Sequence, residues 1–246
     1  MGRPTLRPAP RRRCRHAPRT NARRAQPRRP SVKISHSHHS ITLFPEKAAL
    51  LADGSLIIAD LHLGKASAFQ AHGLAIPEGD SAADLERARI LCQQSGASRL
   101  LINGDLFHSP AGLSPEVKWL LEDWLAAMPI PVTLILGNHD RSIRGIPPAL
   151  QPVTSMEAAG FTIVHDPADA PPGEASITAH WHPVARIADG KRSRLRLPCF
   201  LLRGPTLVLP AFGSFTGGVP IAPDAHDRVF VAPGERVIEV PHALLR

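Results

Sequence analysis

Three apolar segments of this chain end in the same way, in a short run of carboxylate, imidazole or amide residues. The segments are residues 55–59, 99–102 and 131–136, and they lead into Asp60-Leu61-His62, Gly104-Asp105 and Gly137-Asn138-His139-Asp140. Apolar segments that do not alternate with polar residues are typical of strands buried on both faces. Helices predicted at residues 66–72, 81–94 and 115–127 separate or follow them, so the pattern indicates a parallel sheet. Ligand sites in such sheets lie beyond the carboxyl ends of the strands.

The second half of the chain has a different pattern. Short apolar segments separated by turns run from residue 161 to residue 240, and no helical period lies between them. We therefore predict an α/β fold with two packed mixed β-sheets flanked by helices. Residues 41–246 are expected to form one domain, and residues 1–40 a disordered tail.

The positive charge of the chain is confined to that tail. The whole chain has a formal net charge of +8, but residues 1–33 contain eleven Arg, one Lys, six Pro and no acidic residue. The remaining 17 basic and 21 acidic residues give the body a net charge of −4. An Arg/Pro-rich tail that ends in His36, His38 and His39 is typical of disorder. It can be an arm that binds phosphates, or an extension without a role, such as one from a misassigned translation start.

Cysteine content and hydropathy indicate the compartment. Cys14, Cys92 and Cys199 are far apart and form no metal-binding pair, which argues against a disulfide framework and a zinc ribbon. No apolar run reaches the roughly 18 residues of a membrane-spanning helix. We expect a cytoplasmic protein with no membrane partner, and the sequence predicts no particular oligomeric state.

The polar strand ends provide the ligand types of a two-metal site. Two further predicted strands also end in histidine, at His165 and at His180-Trp181-His182. A carboxylate can bridge two ions about 3.5–4 Å apart, and we assign that role to Asp105. The ligands of one ion would be Asp60, His62, Asp105 and His182, and those of the other Asp105, Asn138, His165 and His180. Mixed nitrogen and oxygen ligands suit Mn²⁺, Fe²⁺ or Zn²⁺.

These five elements, in this order, resemble the calcineurin-like metallophosphoesterase superfamily over about residues 42–210. The resemblance implies an αββα sandwich and two divalent metal ions. It also implies that His139 contacts the scissile phosphate and stabilises or protonates the leaving oxygen, while a metal-bridging hydroxide attacks phosphorus.

Other motifs narrow the resemblance. The protein phosphatases of this superfamily carry Asp and then Arg-Gly where this chain has His108-Ser109. Residues 61–65, 198–200 and 210–218 are similar instead to the ligase-associated DNA damage response endonucleases, the bacterial PdeM group, and extend the match to about residues 41–232. This resemblance implies a Mn²⁺-dependent phosphodiesterase or endonuclease that cuts DNA, with single-stranded DNA favoured, beside a DNA ligase and a helicase in DNA repair.

One position departs from that pattern. Ala179 replaces the usual glycine before the last histidine pair, and a positive φ there would cost on the order of 1 kcal/mol.

Four residues are candidates for substrate contact, namely Lys65, His108, Arg141 and Trp181. For Lys65 and Arg141 the alternative is helix capping, and for His108 and Trp181 it is packing.

The sequence is also compatible with two other functions. The acidic body is compatible with a small-molecule phosphodiesterase or pyrophosphatase that uses the same metal site. A non-catalytic DNA-binding module would act through the basic tail alone, without metal.

Overall fold

The structure is a computed structural model that describes residues 30–71, 73, 80–188 and 194–245. Its α-helices are α1 (Lys65–Ala71), α2 (Asp80–Ser95) and α3 (Pro115–Ala127). Its strands up to the end of the first sheet are β1 (Val32–His36), β2 (His39–Phe44), β3 (Ala48–Leu51), β4 (Ser55–Ile58), β5 (Arg99–Asn103) and β6 (Val132–Ile135). The later strands are β7 (Met156–Ala158), β8 (Phe161–Ile163), β9 (Ser176–Thr178), β10 (Pro183–Ala188), β11 (Arg194–Arg203), β12 (Thr206–Val208), β13 (Val219–Pro220), β14 (Arg228–Val231) and β15 (Ile238–Val240).

The first sheet contains β4, β5 and β6, the three strands that lead into the polar motifs of the sequence. Its six strands follow chain order, antiparallel from β1 to β4 and parallel from β4 to β6. Ile58 pairs with Ile102, and Ile102 pairs with Leu134. This register brings the carboxyl ends of β4, β5 and β6 to the same edge, as the sequence predicts.

Part of the predicted tail belongs to this sheet, so the predicted boundary at residue 40 is wrong. Val32–His36 pairs with β2 through a two-residue turn, Ser37-His38, in which both φ angles are positive, as in type I′ hairpins. Ile34 is buried, and the ring of His39 lies edge-on to Phe161 at 5.1 Å. His36 and His39, which made this segment resemble a linker, therefore pack against Phe161, while His38 is exposed in the turn. The predicted disorder of residues 1–29 lies outside the described residues.

The second sheet is also mixed. Seven strands follow the order β13-β10-β11-β12-β9-β8-β7, while β14 pairs with β11 and β15 pairs with β14. Parallel pairs link β10 to β13, β12 to β9 and β8 to β9, and the other pairs are antiparallel. The prediction of two mixed sheets is confirmed.

The two sheets pack face to face over an aliphatic and aromatic core. The largest contributors from the first sheet are Ile41, Leu43, Ile57 and Leu101, and those from the second are Phe161, Ile177, Phe200, Leu207 and Phe230. All nine side chains are fully buried. Burial of this apolar area is the main favourable term in the stability of the sandwich.

The α-helices cover the other face of the first sheet. Ser114 caps α3 by accepting a hydrogen bond from Val117 N at 3.3 Å, and Trp124 Nε1 donates to Leu85 O of α2 at 2.8 Å. In the described part of the chain no α-helix follows β6, so helices flank one sheet only. The outer face of the second sheet instead forms its own apolar cluster around Cys199, Leu201, Val229 and Val231. No helix within the described ranges is both long and apolar enough to span a bilayer.

Replacement of Phe161 by Ala tests the packing between the sheets. Phe161 is fully buried against the N-terminal hairpin, so Phe161→Ala is expected to lower the free energy of unfolding by about 3–5 kcal/mol. Trp119, whose surface is 67% exposed on α3, is the matched control, and Trp119→Ala should change stability by less than about 0.5 kcal/mol. Urea denaturation of both variants measures this, and equal stability would contradict the assigned core.

Candidate metal centre

The loops that follow β4 and β5 are joined by a ladder of backbone hydrogen bonds. Asp60 N donates to Gly104 O at 3.0 Å, His62 N to Asp105 O at 2.9 Å, and Leu63 N to Leu106 O at 2.7 Å. The pairing of the two parallel strands therefore continues past their ends. It fixes Asp60, His62 and Asp105 beside one another at the sheet edge.

Most of the predicted ligands have a left-handed backbone. Positive φ angles occur at Asp60 (54°), His62 (51°), Asp105 (48°), His180 (65°) and His182 (46°). Non-glycine residues seldom adopt this conformation, and where they do it costs on the order of 1–3 kcal/mol each and marks functional sites. The strain is tolerated here because the two sheets and the backbone ladder hold the loops.

The backbone angles also show that the strain considered for Ala179 does not occur at that residue. Ala179 is buried and does not have a positive φ, so no strain arises from its side chain. The left-handed residue is His180, the centre of a tight turn in which Trp181 N donates to Ala179 O at 2.7 Å. Ala179 N donates to His165 O at 2.9 Å, which ties this turn to the end of β8.

Two glycines leave space for ligands. Gly104 has a φ of 77°, and a Cβ at this position would overlap the imidazole of His165. A Cβ at Gly137 would overlap the backbone nitrogen and carboxylate of Asp105. Gly137 lacks a positive φ, so it is required for the close approach of Asp105 and not for a left-handed turn.

Four of the predicted ligands form one cluster, namely Asp60, His62, Asp105 and His182. Asp60 Oδ1 lies 3.1 Å from His182 Nε2, and His62 Nε2 lies 3.5 Å from His182 Nε2. His62 Nε2 is 4.0 Å from Asp105 Oδ2. One ligand atom from each residue lies within 4.8 Å of the others.

A second cluster shares Asp105 and adds His165 and His180. His165 Nε2 lies 3.4 Å from Asp105 Oδ2 and 3.9 Å from Asp60 Oδ1. His165 Nδ1 donates to Asn103 O at 2.9 Å, which directs Nε2 into the cluster. A histidine held in this way by its other ring nitrogen is typical of metal ligands.

The donor atoms of both clusters fit divalent cations. Both carboxylate oxygens of Asp60, a fully buried residue, and the buried Nε2 of His165 make no hydrogen bond within the described structure. A buried carboxylate without such partners costs several kcal/mol unless a cation or proton compensates it. Carboxylate oxygens and imidazole nitrogens are suitable ligands for Mn²⁺, Fe²⁺ or Zn²⁺.

The surroundings shift the pKa values of the two buried histidines, His62 and His165, in opposite directions. Burial lowers the pKa of His62 well below its usual range, and the neighbouring imidazoles of His182 and His139 add to that effect. Burial also disfavours the charged form of His165, but Asp105 and Asp60 outweigh it and raise its pKa to about 9. The carboxylates thus attract positive charge to the centre of the two clusters.

His139 lies beside the shared carboxylate. Its backbone nitrogen donates to Asp105 Oδ1 at 3.0 Å, and its Nε2 lies 3.9 Å from Asp105 Oδ2. His139 Nδ1 contacts His108 O at 2.7 Å, and the two imidazole rings stack at 5.8 Å. His62, His108 and His139 form a third group of possible ligand atoms.

The other predicted residues lie outside the two ligand clusters that share Asp105. Asn138 is exposed next to His139, and its role as a ligand stays a prediction. Lys65 begins α1, and its Nζ lies 5.5 Å from the ring centroid of Phe215. Arg141 is exposed and faces Asp169 at 3.6 Å. Trp181 is exposed near Arg203, which argues against the alternative that it packs in the core, and its contact with substrate stays a prediction.

Two buried residues that support the site were not assigned roles from the sequence. Asn103 Nδ2 donates to Val164 O at 3.0 Å, which links the two sheets beside His165. Asp140 accepts hydrogen bonds from Gly137 N and Phe107 N, at 3.0 and 3.1 Å, and so joins two ligand loops. Burial raises the pKa of Asp140 to about 6 despite these bonds. The position of Asp140 at the end of the third motif could have indicated this supporting role from the sequence.

Comparison with known proteins agrees with this geometry. The calcineurin-like phosphoesterase family matches residues 55–197. The crystal structure of nuclease MPE from Pseudomonas putida is similar, with 32% sequence identity and a TM-score of 0.73 over 85% of this chain and 100% of that chain. Yfce, a phosphoesterase from E. coli, has 18% identity and a TM-score of 0.39 over 76% and 97% of the two chains, a likeness too distant to bear on function. No curated protein matches significantly.

The family match covers more than half of the chain and includes strands of both sheets and all seven proposed ligands. The chain therefore belongs to the calcineurin-like phosphoesterase family. Together with the similarity to a solved nuclease, this membership supports an enzyme that cleaves phosphate esters.

A glycine substitution tests whether His165 occupies the space that Gly104 leaves. Gly104→Ala is expected to displace the His165 ring and to reduce Mn²⁺ binding, because its Cβ would overlap that ring. Gly173→Ala is the matched control, since Gly173 has nearly the same φ, 78°, but no atom within 4 Å of the added Cβ. Calorimetric Mn²⁺ titration of both variants should show weaker binding for Gly104→Ala only. Equal affinities would contradict the role of Gly104.

Proposed function

We propose that this protein is a Mn²⁺-dependent endonuclease that hydrolyses phosphodiester bonds of DNA, with preference for single strands. The observation that carries the proposal is the carboxylate of Asp105. It belongs to both ligand clusters and contacts His139 through its two oxygens. The similarity to a nuclease of known structure, at 32% identity, supports nucleic acid as the substrate class.

Seven residues would hold two divalent ions at this edge. The first ion would be held by Asp60, His62, Asp105 and His182, and the second by Asp105, Asn138, His165 and His180. When bound, the ions supply Lewis-acid stabilisation of the phosphate and an activated water nucleophile. Mn²⁺ is proposed over Fe²⁺ or Zn²⁺ on the resemblance of the motifs, because the ligand types suit all three.

His139 would act on the leaving oxygen. Its Nδ1 is fixed against His108 O, so its Nε2 is the atom that faces the ligand clusters. A hydrogen bond or proton delivered from Nε2 would stabilise the negative charge that develops when the phosphodiester bond breaks. Lys65 and His108 would contact the phosphate on this side, since His108 stacks on His139 and Lys65 lines a cavity together with His62.

The biological setting is also a proposal. A cytoplasmic role in DNA repair, beside a DNA ligase and a helicase, follows from the resemblance of residues 61–65, 198–200 and 210–218 to the ligase-associated endonucleases. The Arg-rich residues 1–33 would add affinity for DNA through contacts with phosphates. Family membership favours an enzyme over a non-catalytic DNA-binding module.

A second candidate is a small-molecule phosphodiesterase or pyrophosphatase. The charge of −4 on residues 34–246 favours it, because a negative body repels polyanions. The same metal site would serve both substrates. Hydrolysis of a chromogenic phosphodiester that single-stranded DNA fails to inhibit would favour this candidate.

Cleavage of linear and covalently closed circular single-stranded DNA tests the proposed function. Metal-stripped protein should cut neither form, and added Mn²⁺ should restore cutting of both, including the circle. Asp105→Ala should abolish cutting and Mn²⁺ binding, because it removes the shared ligand. His139→Ala should lower kcat by about 10²–10⁴-fold while both ions still bind.

The matched control for His139→Ala is His226→Ala, since His226 is exposed and belongs to none of the ligand groups. It should leave cutting unchanged. Full activity of Asp105→Ala, or equal activity of wild type in the absence of metal, would contradict the proposed function.

A further inference from the structure

A cavity opens beside the metal centre, and most of its lining has no part in the proposed function. This cavity of about 330 Å³ runs from His62 and Lys65 to Phe215, between the starts of the three α-helices. Its volume lies in the range of about 300–1,000 Å³ that is usual for small-molecule sites. A group bound in it would lie beside a residue of the first ligand cluster.

Aromatic rings lead from the centre into this region. His108 stacks on His139 at 5.8 Å between ring centroids, Phe69 follows His108 at 6.0 Å, and Phe215 follows Phe69 at 6.2 Å. Each ring therefore touches the next, from the proposed leaving-group residue outward. Such a series is suited to flat aromatic groups attached to a chain of phosphates.

Phe215 is exposed but firmly held. Its surface is 37% exposed, although a phenyl ring gains free energy when it is buried. The preceding residue, Ser214, donates to Asp84 Oδ2 from its nitrogen at 2.7 Å and its hydroxyl at 3.1 Å. Arg87 of α2 donates to Phe212 O and lies over the Phe212 ring at 4.0 Å. A fixed, exposed aromatic ring is the usual form of a binding anchor.

A positive charge accompanies the exposed ring. Lys65 Nζ lies 5.5 Å from the centroid of Phe215, and Lys65 and Phe69 are four residues apart on α1, so they share one helix face. Phe69, Phe215 and Lys65, here called the Phe215 face, thus combine stacking surface with a cation. Nucleotides present the complementary pair, an aromatic base and a phosphate.

We infer that the Phe215 face binds an unpaired nucleobase next to the phosphodiester that is cleaved. This inference rests on the proposed function and extends it to substrate selection. A base inside a duplex has both faces stacked and cannot reach Phe215, whereas a base in a single strand can. The Phe215 face would therefore favour single strands over duplexes and nucleic acid over base-free diesters.

Cleavage of two oligomers of equal length distinguishes the effect of base stacking from the effect of phosphate contacts. One is single-stranded oligothymidylate, and the other has the same phosphates but tetrahydrofuran units in place of every nucleoside. Full-length protein with Mn²⁺ should cleave the base-bearing oligomer with the higher kcat/KM. In Phe215→Ala the ratio of the two kcat/KM values should fall by about five- to hundredfold, the effect usual for loss of one base stack.

Two further variants control this experiment. Phe215→Trp should keep the ratio, because indole also stacks on a base. Trp119→Ala removes another exposed aromatic ring, one that lies outside the lining of the cavity, and should leave both rates unchanged.

The outcomes distinguish the inference from the function on which it rests. If Phe215→Ala cleaves both oligomers with an unchanged ratio of kcat/KM values, even when both values fall equally, the inference is overturned. The proposed function would not be contradicted by that result. Failure of the unmodified protein to cleave either oligomer would contradict the proposed function and, with it, the inference.

Discussion

The carboxylate of Asp105 is the contact on which the rest of the site depends. It is 1% exposed, and its oxygens lie within 4.0 Å of imidazole nitrogens from His62, His139 and His165. These histidines come from three different loops and from both sheets. A buried negative charge at this point requires compensating positive charge, and that requirement brings the loops together.

The fold is built to hold this carboxylate in an unfavourable backbone conformation. Asp105 has a φ of 48°, and four other proposed ligands are also left-handed, which costs on the order of 1–3 kcal/mol each. The backbone ladder between the β4 and β5 loops and the core between the sheets stabilise these conformations. Gly104 and Gly137 allow the close approach of His165 and Asp105 without steric overlap. The rigidity of the site is thus a property of both sheets.

Much of the fold and of the site could be predicted, because polar residues at the ends of buried strands have a direct structural meaning. The order of β4, β5 and β6 and the grouping of Asp60, Asp105 and His165 followed from that pattern. The strand at Val32–His36 was missed, since its histidines and the neighbouring Arg-rich segment concealed the alternation of Val32 and Ile34.

Other features depend on tertiary contacts that a sequence pattern does not contain. The packing of Gly137 against Asp105, the roles of Asn103 and Asp140, and the series of rings that ends at Phe215 became visible only when distant segments met. Ala179 shows the same limit, because the strain expected there is located at His180. The substrate-facing side of the site therefore required the structure.

The central claim is that one carboxylate holds two metal ions, and the electron paramagnetic resonance spectrum of the Mn²⁺-loaded protein tests it directly. If Asp105 is a ligand of both, two Mn²⁺ ions should bind per chain and give the spectrum of an exchange-coupled pair. In Asp105→Ala the coupled signal should disappear. A single bound ion, or two ions that give the spectrum of isolated Mn²⁺ in the unmodified protein, would contradict the account.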